Sequence, residues 1–171
     1  EKELGSIVNF YATPVRKMEF LLGKQLPYIV VSLISFFGLV TFAIYVFQVP
    51  LKGSLFTLTL GVFLYIICTT AIGLFISSFV KTQIAALMGT AILTLLPTIQ
   101  FSGLKEPVSS LEGVAQYIGN IFPVTYFINI SRGVFSKNVS FSELRFEFFV
   151  LSISIFVILY CSYLVLNKQE K

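Results

Sequence analysis

The sequence predicts an all-α fold, a polytopic bundle of transmembrane helices. Most of the 171 residues lie in four long apolar segments, at about 26–49, 54–80, 84–101 and 148–166. Each segment meets or approaches the roughly 20 apolar residues that a helix needs to cross a bilayer core about 30 Å thick. The backbone must satisfy its own hydrogen bonds in hydrocarbon, and an α-helix does so. The chain is only 12% charged, about half the share found in soluble domains.

The middle of each segment lacks Asp, Glu, Lys and Arg, and the whole chain lacks His. Proton and ion relays in transporters use such residues inside the bilayer. If the protein transports a substrate, the energy should therefore enter from outside the membrane domain. This argues against half of a secondary transporter or channel. That function and a non-transporting membrane interaction protein are kept as alternatives.

Catalytic and cofactor-binding motifs are missing from the sequence. Gly23-Lys24 lacks the upstream glycine and the following Ser or Thr of a phosphate-binding loop, so we expect no ATP hydrolysis by this chain. Cys68 and Cys161 lie inside apolar segments without metal-ligand spacing, so we expect no metal and no cofactor. The basic residues stand singly at segment ends, which is typical of membrane proteins and predicts no nucleic-acid partner.

The distribution of basic residues predicts the topology, because Lys and Arg concentrate in short cytoplasmic segments. With the amino terminus inside, seven of the 12 basic residues are cytoplasmic: Lys2, Arg16, Lys17, Lys24, Lys81, Lys168 and Lys171. Four of the remaining five fall in the long region 102–147, which is then outside. Residues 25–166 form the membrane domain, and 167–171 form a cytoplasmic tail.

Residues 1–24 are predicted to form two short amphipathic helices at the cytoplasmic surface. Leu4, Ile7, Val8 and Tyr11 share one helical face. Thr13-Pro14 is a good start for the second helix, which we expect to end at Gly23-Lys24. The residues themselves leave two readings open: a helix that rests on lipid, or a docking element for a cytoplasmic partner.

The outer region 102–147 is too apolar for a solvated loop, yet its apolar runs are too short to span. A re-entrant helix pair broken at Pro123 fits, because irregular backbone is tolerated where protein buries it. A surface-lying amphipathic helix is the alternative. Arg132 could bind a lipid phosphate or an acidic side chain, or act as a plain interfacial anchor.

Two pairs of small residues have the spacing that lets membrane helices approach closely, Gly73 with Ser77 and Ala85 with Gly89. They could form either an internal contact or the contact between two subunits.

Two stretches resemble the permeases of ABC-2 type transporters. The first is EKELGSIVNFYATPVRKMEFLLGKQLPY, with Gly5-Ser6, Thr13-Pro14-Val15, Gly23-Lys24 and Pro27-Tyr28 in the family's order. The second is FPVTYFINISRGVF at 122–135, similar to an extracellular Pro-x-x-Tyr…Arg-Gly-x-Phe stretch. Family permeases usually have six spans, whereas this chain has four and begins with Glu1, so we expect it to be the carboxy-terminal half of a longer permease.

The resemblance implies an exporter subunit in the bacterial inner membrane, with an ATPase subunit and a second permease subunit as partners. It makes the amino-terminal helix a coupling helix, with the ATPase contact at Leu4, Gly5, Ile7, Val8, Tyr11, Thr13 and Pro14. It also implies an outer gate formed by the re-entrant pair, at Pro123, Tyr126, Phe127, Arg132 and Gly133. The sequence does not select among drugs, lipids, glycans and peptides as the substrate.

Overall fold

The computed structural model describes residues 17–80, 82–104, 107–137 and 139–168. These residues form helices α1 (Lys17–Tyr45), α2 (Leu55–Phe79), α3 (Gln83–Phe101), α4 (Val114–Ile121), α5 (Pro123–Arg132) and α6 (Arg145–Lys168). A 3-10 turn, Val108–Ser110, precedes α4, and a π-helical segment, Gly133–Lys137, follows α5. The described ranges contain no strand, which confirms the all-α prediction.

Four of these helices are long and apolar enough to cross a membrane: Met18–Tyr45, Leu55–Phe79, Gln83–Phe101 and Arg145–Val165. Each overlaps one of the four predicted segments, and the bounds of α2 and α3 agree with the prediction to within a residue at each end. The lengths follow from uninterrupted apolar sequence, and α3 begins where the Thr82 side chain accepts a hydrogen bond from the Ala85 amide at 3.3 Å.

The first helix differs from the prediction. We expected a short helix ending at Gly23-Lys24 and a separate span opening at Pro27, but α1 continues through all three residues. A proline ring inside a helix crowds the carbonyl four residues earlier, which here belongs to Gly23. Membrane helices tolerate such prolines because local adjustments satisfy the freed backbone groups again. The residues from Lys17 to Gln25 and the first span are therefore joined in one continuous helix.

The central element of the bundle is α2, which packs most extensively against α6 and then against α1. Its buried side chains run from Thr57 to Ser78. The main core cluster lies in the half of the bundle where α2 begins, and it joins Val40, Leu58, Ile130, Val134, Leu144, Phe148 and Leu151. The short helix α5 and the π-helical segment after it therefore share a core with the spans.

By contrast, α3 lies at the edge of the described bundle and buries none of its residues. Ile84 and Leu87 are both more than 70% exposed. Its contacts are made with α2, α4 and α5. In a bilayer, lipid or another part of the assembly would cover this apolar surface.

A close approach between a span and an outer helix occurs at Gly61, where α5 crosses α2. A Cβ atom at Gly61 would lie 2.9 Å from Cγ2 of Ile130, a side chain that is itself fully buried. The absence of a side chain at this position is what allows the two helices to touch.

Replacing Gly61 with Val should therefore force the two helices apart. We expect the Gly61→Val variant of the protein to lose about 1–3 kcal/mol of unfolding free energy, the usual cost of overpacking. Gly38→Val is the matched control, because nothing lies within 4 Å of a Cβ at Gly38. Thermal unfolding in detergent measures both, and equal midpoints for the two variants would contradict the close packing.

Candidate functional site

The outer region folds into a helical hairpin, with α4 and α5 joined at the single extended residue Phe122. Pro123 occupies the first helical position of α5, where its missing amide proton costs nothing. The last carbonyls of α4 need partners, and α5 supplies them. The Thr125 hydroxyl donates to the Gly119 carbonyl at 2.6 Å, and the Tyr126 hydroxyl donates to the Asn120 carbonyl at 2.5 Å.

Three contacts fix the position of the hairpin. They join α5 and the π-helical segment to α2 and to the residues just before α2. The Gly53 amide donates to the Val134 carbonyl at 2.8 Å, and Ile130 packs on Gly61. Deeper along α2, the Tyr65 and Phe127 rings stack with centroids 4.5 Å apart and planes 8° apart.

These contacts give α5 a direction. Tyr65 lies ten residues after the start of α2 at Leu55, or about 15 Å along a helix that rises 1.5 Å per residue. The amino-terminal end of α5 therefore points towards the middle of the bundle, and its carboxy-terminal end returns to the surface. A re-entrant helix would make such contacts, and its depth in the bilayer stays a prediction.

A second glycine, Gly119, allows the hairpin to pack closely against α3. A Cβ atom at Gly119 would lie 2.5 Å from the Phe101 carbonyl oxygen and 2.8 Å from Cγ1 of Val108. Together, Gly61 and Gly119 attach the hairpin to two different spans. Our sequence reasoning missed both, although Thr57-x-x-x-Gly61 and Ala115-x-x-x-Gly119 carry the same small-residue spacing as the pairs it selected.

The pairs that the sequence did select make no tight internal contact among the described residues. Nothing lies within 4 Å of a Cβ at Gly73, and one at Gly89 would meet only Ile76 Cγ2, at 3.8 Å. The Ser77 hydroxyl bonds to the Leu74 carbonyl of its own helix, and Ala85 is exposed. A role for these pairs in subunit contact stays a prediction.

The predicted gate residues are brought together in α5 and the first residue after it. Pro123 and Gly133 are buried, and Tyr126 and Phe127 are half-buried. Arg132 is exposed, and its Nη2 donates to the Leu104 carbonyl at 3.1 Å, which ties the end of α5 to the segment after α3. The predicted coupling residues, Leu4, Gly5, Ile7, Val8, Tyr11, Thr13 and Pro14, lie outside the described residues.

A polar pocket of about 340 Å³ opens between α5, the start of α6 and the segment after α3. Its wall includes Asn120, Tyr126, Asn129, Arg132, Phe146 and Glu147. Burial, and then the negative charge of Glu147, raise the pKa of Tyr126, so its hydroxyl stays neutral and keeps its hydrogen bond to Asn120. The described ranges hold no group of three or more His, Cys, Asp or Glu residues that could bind a metal ion.

The described spans are held together around α2, and a short hairpin packs between two of them, an arrangement that suits a protein embedded in a membrane. Comparison with known proteins agrees, because residues 1–165 match the family described as ABC-2 family transporter protein. The chain belongs to this ABC-2 family. It is a multi-pass membrane protein whose relatives are ABC transporter permeases.

Three relatives illustrate the similarity. The probable multidrug ABC transporter permease YbhR of Escherichia coli is 26% identical over 140 residues, which cover 82% of this chain and 38% of the relative. The inner membrane transport permease YhhJ of E. coli is 29% identical over 88% of this chain and 40% of the relative. ABC transporter G family member 20 of Dictyostelium discoideum is 27% identical over 100% of this chain and 24% of the relative.

The chain thus spans about two fifths of the length of the bacterial relatives and matches the carboxy-terminal part of these permeases. No solved structure matches the chain significantly.

The stacked Tyr65 and Phe127 rings should be energetically coupled. A double-mutant cycle with Tyr65→Leu and Phe127→Leu in the full-length permease should give a coupling of about 0.5–1.5 kcal/mol, as measured for other aromatic pairs. A cycle of Tyr65→Leu with Phe156→Leu is the control, since Phe156 is 74% exposed and should be additive. Denaturant unfolding in detergent measures both cycles. Additivity in the Tyr65 and Phe127 cycle would mean that the rings do not stack in the folded protein.

Proposed function

We propose that this chain is the carboxy-terminal part of the membrane subunit of an ATP-binding cassette exporter. The subunit moves a substrate out of the cell with energy from ATP hydrolysed by a separate ATPase subunit. Membership of the ABC-2 family carries this proposal. The absence of charged residues from the middle of every span supports it, because the spans then offer no proton or ion relay of their own.

The proposed contact with the ATPase is the apolar face of the amino-terminal helix, at Leu4, Ile7, Val8 and Tyr11. The continuity of α1 supports a mechanical link. A 29-residue helix without an interruption at Gly23 or Pro27 can carry a displacement from the cytoplasmic surface to the other end of the bundle. An ATPase can shift the conformational equilibrium only if it binds the two states of the permease with different affinity.

The proposed outer gate is the hairpin of α4 and α5. Because α5 packs on α2 at Gly61 and α4 packs on α3 at Gly119, any change in the angle between these two spans must move the hairpin. Outward opening would then follow from rocking of the spans, with a second permease subunit completing the passage.

The ATPase contact can be tested by charging the two faces of the amino-terminal helix separately. Replacing Ile7 and Val8 with Asp should release the ATPase subunit and abolish transport, because a buried apolar anchor contributes about 1–3 kcal/mol, or roughly tenfold to a hundredfold in affinity. The matched control replaces Ser6 and Asn9 with Asp, on the polar side of the same helix.

Co-purification of the tagged permease with its ATPase measures binding, and ATP-driven substrate uptake into inverted vesicles measures transport. The control should retain both. Wild-type recovery of the ATPase with the Ile7 and Val8 variant would refute the proposed contact, provided that this variant inserts in the membrane as well as the control does.

A further inference from the structure

The polar pocket beside α5 contains one positive and one negative side chain that are not paired with each other. Arg132 and Glu147 both line it, yet the described part of the chain has no ion pair between them within 4.0 Å. Both side chains are therefore available to a ligand in this pocket of about 340 Å³. Pockets of this size are large enough for small ligands.

Both groups retain unused hydrogen-bonding capacity. The Arg132 guanidinium has five N–H donors, and one nitrogen is engaged, with the Leu104 carbonyl. No described residue donates a hydrogen bond to the Glu147 carboxylate. The Thr125 and Tyr126 hydroxyls are already committed to carbonyls of α4. The charged pair and the neutral amides of Asn120 and Asn129 remain for recognition, and hydrogen bonds to charged groups are the stronger ones.

The position of the pocket indicates where a ligand would come from. The pocket lies just beyond the end of α3 and at the first turn of α6, where the apolar spans end. We expect lipid head groups at the ends of apolar spans. An apolar stripe with alternating spacings of three and four residues descends from it along α6. The residues of the stripe are 45–74% exposed: Phe146, Phe149, Ile153, Phe156 and Tyr160.

We propose that this pocket binds the head group of a zwitterionic phospholipid that carries a primary ammonium group, such as phosphatidylethanolamine. The phosphate lies on Arg132, which offers paired N–H donors to phosphate oxygens. The ammonium donates to Glu147, and an acyl chain lies along the stripe on α6. Arg132 also belongs to the proposed outer gate, but the test measures lipid binding and does not depend on transport.

This arrangement selects among head groups. An anionic head group without an amine would satisfy Arg132 but leave Glu147 facing a second negative charge. A trimethylammonium group would be attracted to Glu147 but has no N–H to donate to it. An arginine that acted only as an interfacial anchor would show no preference between these lipids.

The test is native mass spectrometry of the full-length permease after delipidation in detergent. The protein is titrated with dioleoyl phosphatidylethanolamine, phosphatidylglycerol or phosphatidylcholine, one lipid at a time. We expect the first lipid to bind at least about fivefold more tightly than the other two, within the range for hydrogen bonds to charged groups.

Two variants separate the roles of the charges. Arg132→Gln should weaken binding of all three lipids by about fivefold or more. The Glu147→Gln variant should bind phosphatidylglycerol and phosphatidylethanolamine about equally. It loses both the repulsion of the anionic head group and the contact with the ammonium group. Lys137→Gln and Glu143→Gln are the matched controls, since both residues are exposed on the same outer side and neither lines the pocket.

Three results would overturn the proposal. The first is equal binding of the three lipids by the wild-type protein, a measurement that needs no variant to fold. The second is a Glu147→Gln variant with the same lipid selectivity as the Glu143→Gln control. The third is displacement of bound lipid by soluble phosphoethanolamine at the same concentration, which would identify the ligand as a free aminoalkyl phosphate and not a lipid.

Discussion

The contact between α2 and the outer helix α5 is the packing on which the rest of the bundle depends. Ile130 can reach the α2 backbone only because Gly61 has no side chain, and from there the same core continues through Val134 and Leu144 into α6. A membrane offers no hydrophobic driving force between helices, so association relies on close packing and hydrogen bonds. Hydroxyl-to-carbonyl bonds within the hairpin and the bond from the Gly53 amide to Val134 complete that attachment.

This packing also divides the molecule into parts with different roles. Near the outer end, buried contacts hold α1, α2, α5 and α6 together, whereas α3 buries no residue and touches the hairpin through Gly119. If α3 moves relative to α2, the hairpin that bridges them must follow. The proposed passage, controlled in this way, would need no charged residue deep in the membrane. The middle of each span contains none.

The sequence was sufficient to predict the four spans, because hydropathy and length alone determine which segments can cross a bilayer. Local helix propensity predicted a break at Gly23 and Pro27, but in the structure α1 continues through both residues. The spacing of small residues could not show that Gly61 and Gly119 make close helix contacts whereas Gly73 and Gly89 do not. A close approach depends on which helix lies opposite. The Arg132 and Glu147 pocket joins residues 15 positions apart with a segment after α3, a juxtaposition created by tertiary folding.

The central claim is that the outer hairpin is inserted among the spans and does not lie on the membrane surface. Spin labels at Ile128, within α5, and at Lys137, after it, test this directly in the full-length permease reconstituted in lipid. Relaxation by oxygen reports depth in hydrocarbon, and relaxation by a water-soluble nickel chelate reports contact with water. The account predicts that oxygen dominates at position 128 and the chelate at position 137. Equal access of the chelate to both positions would contradict it.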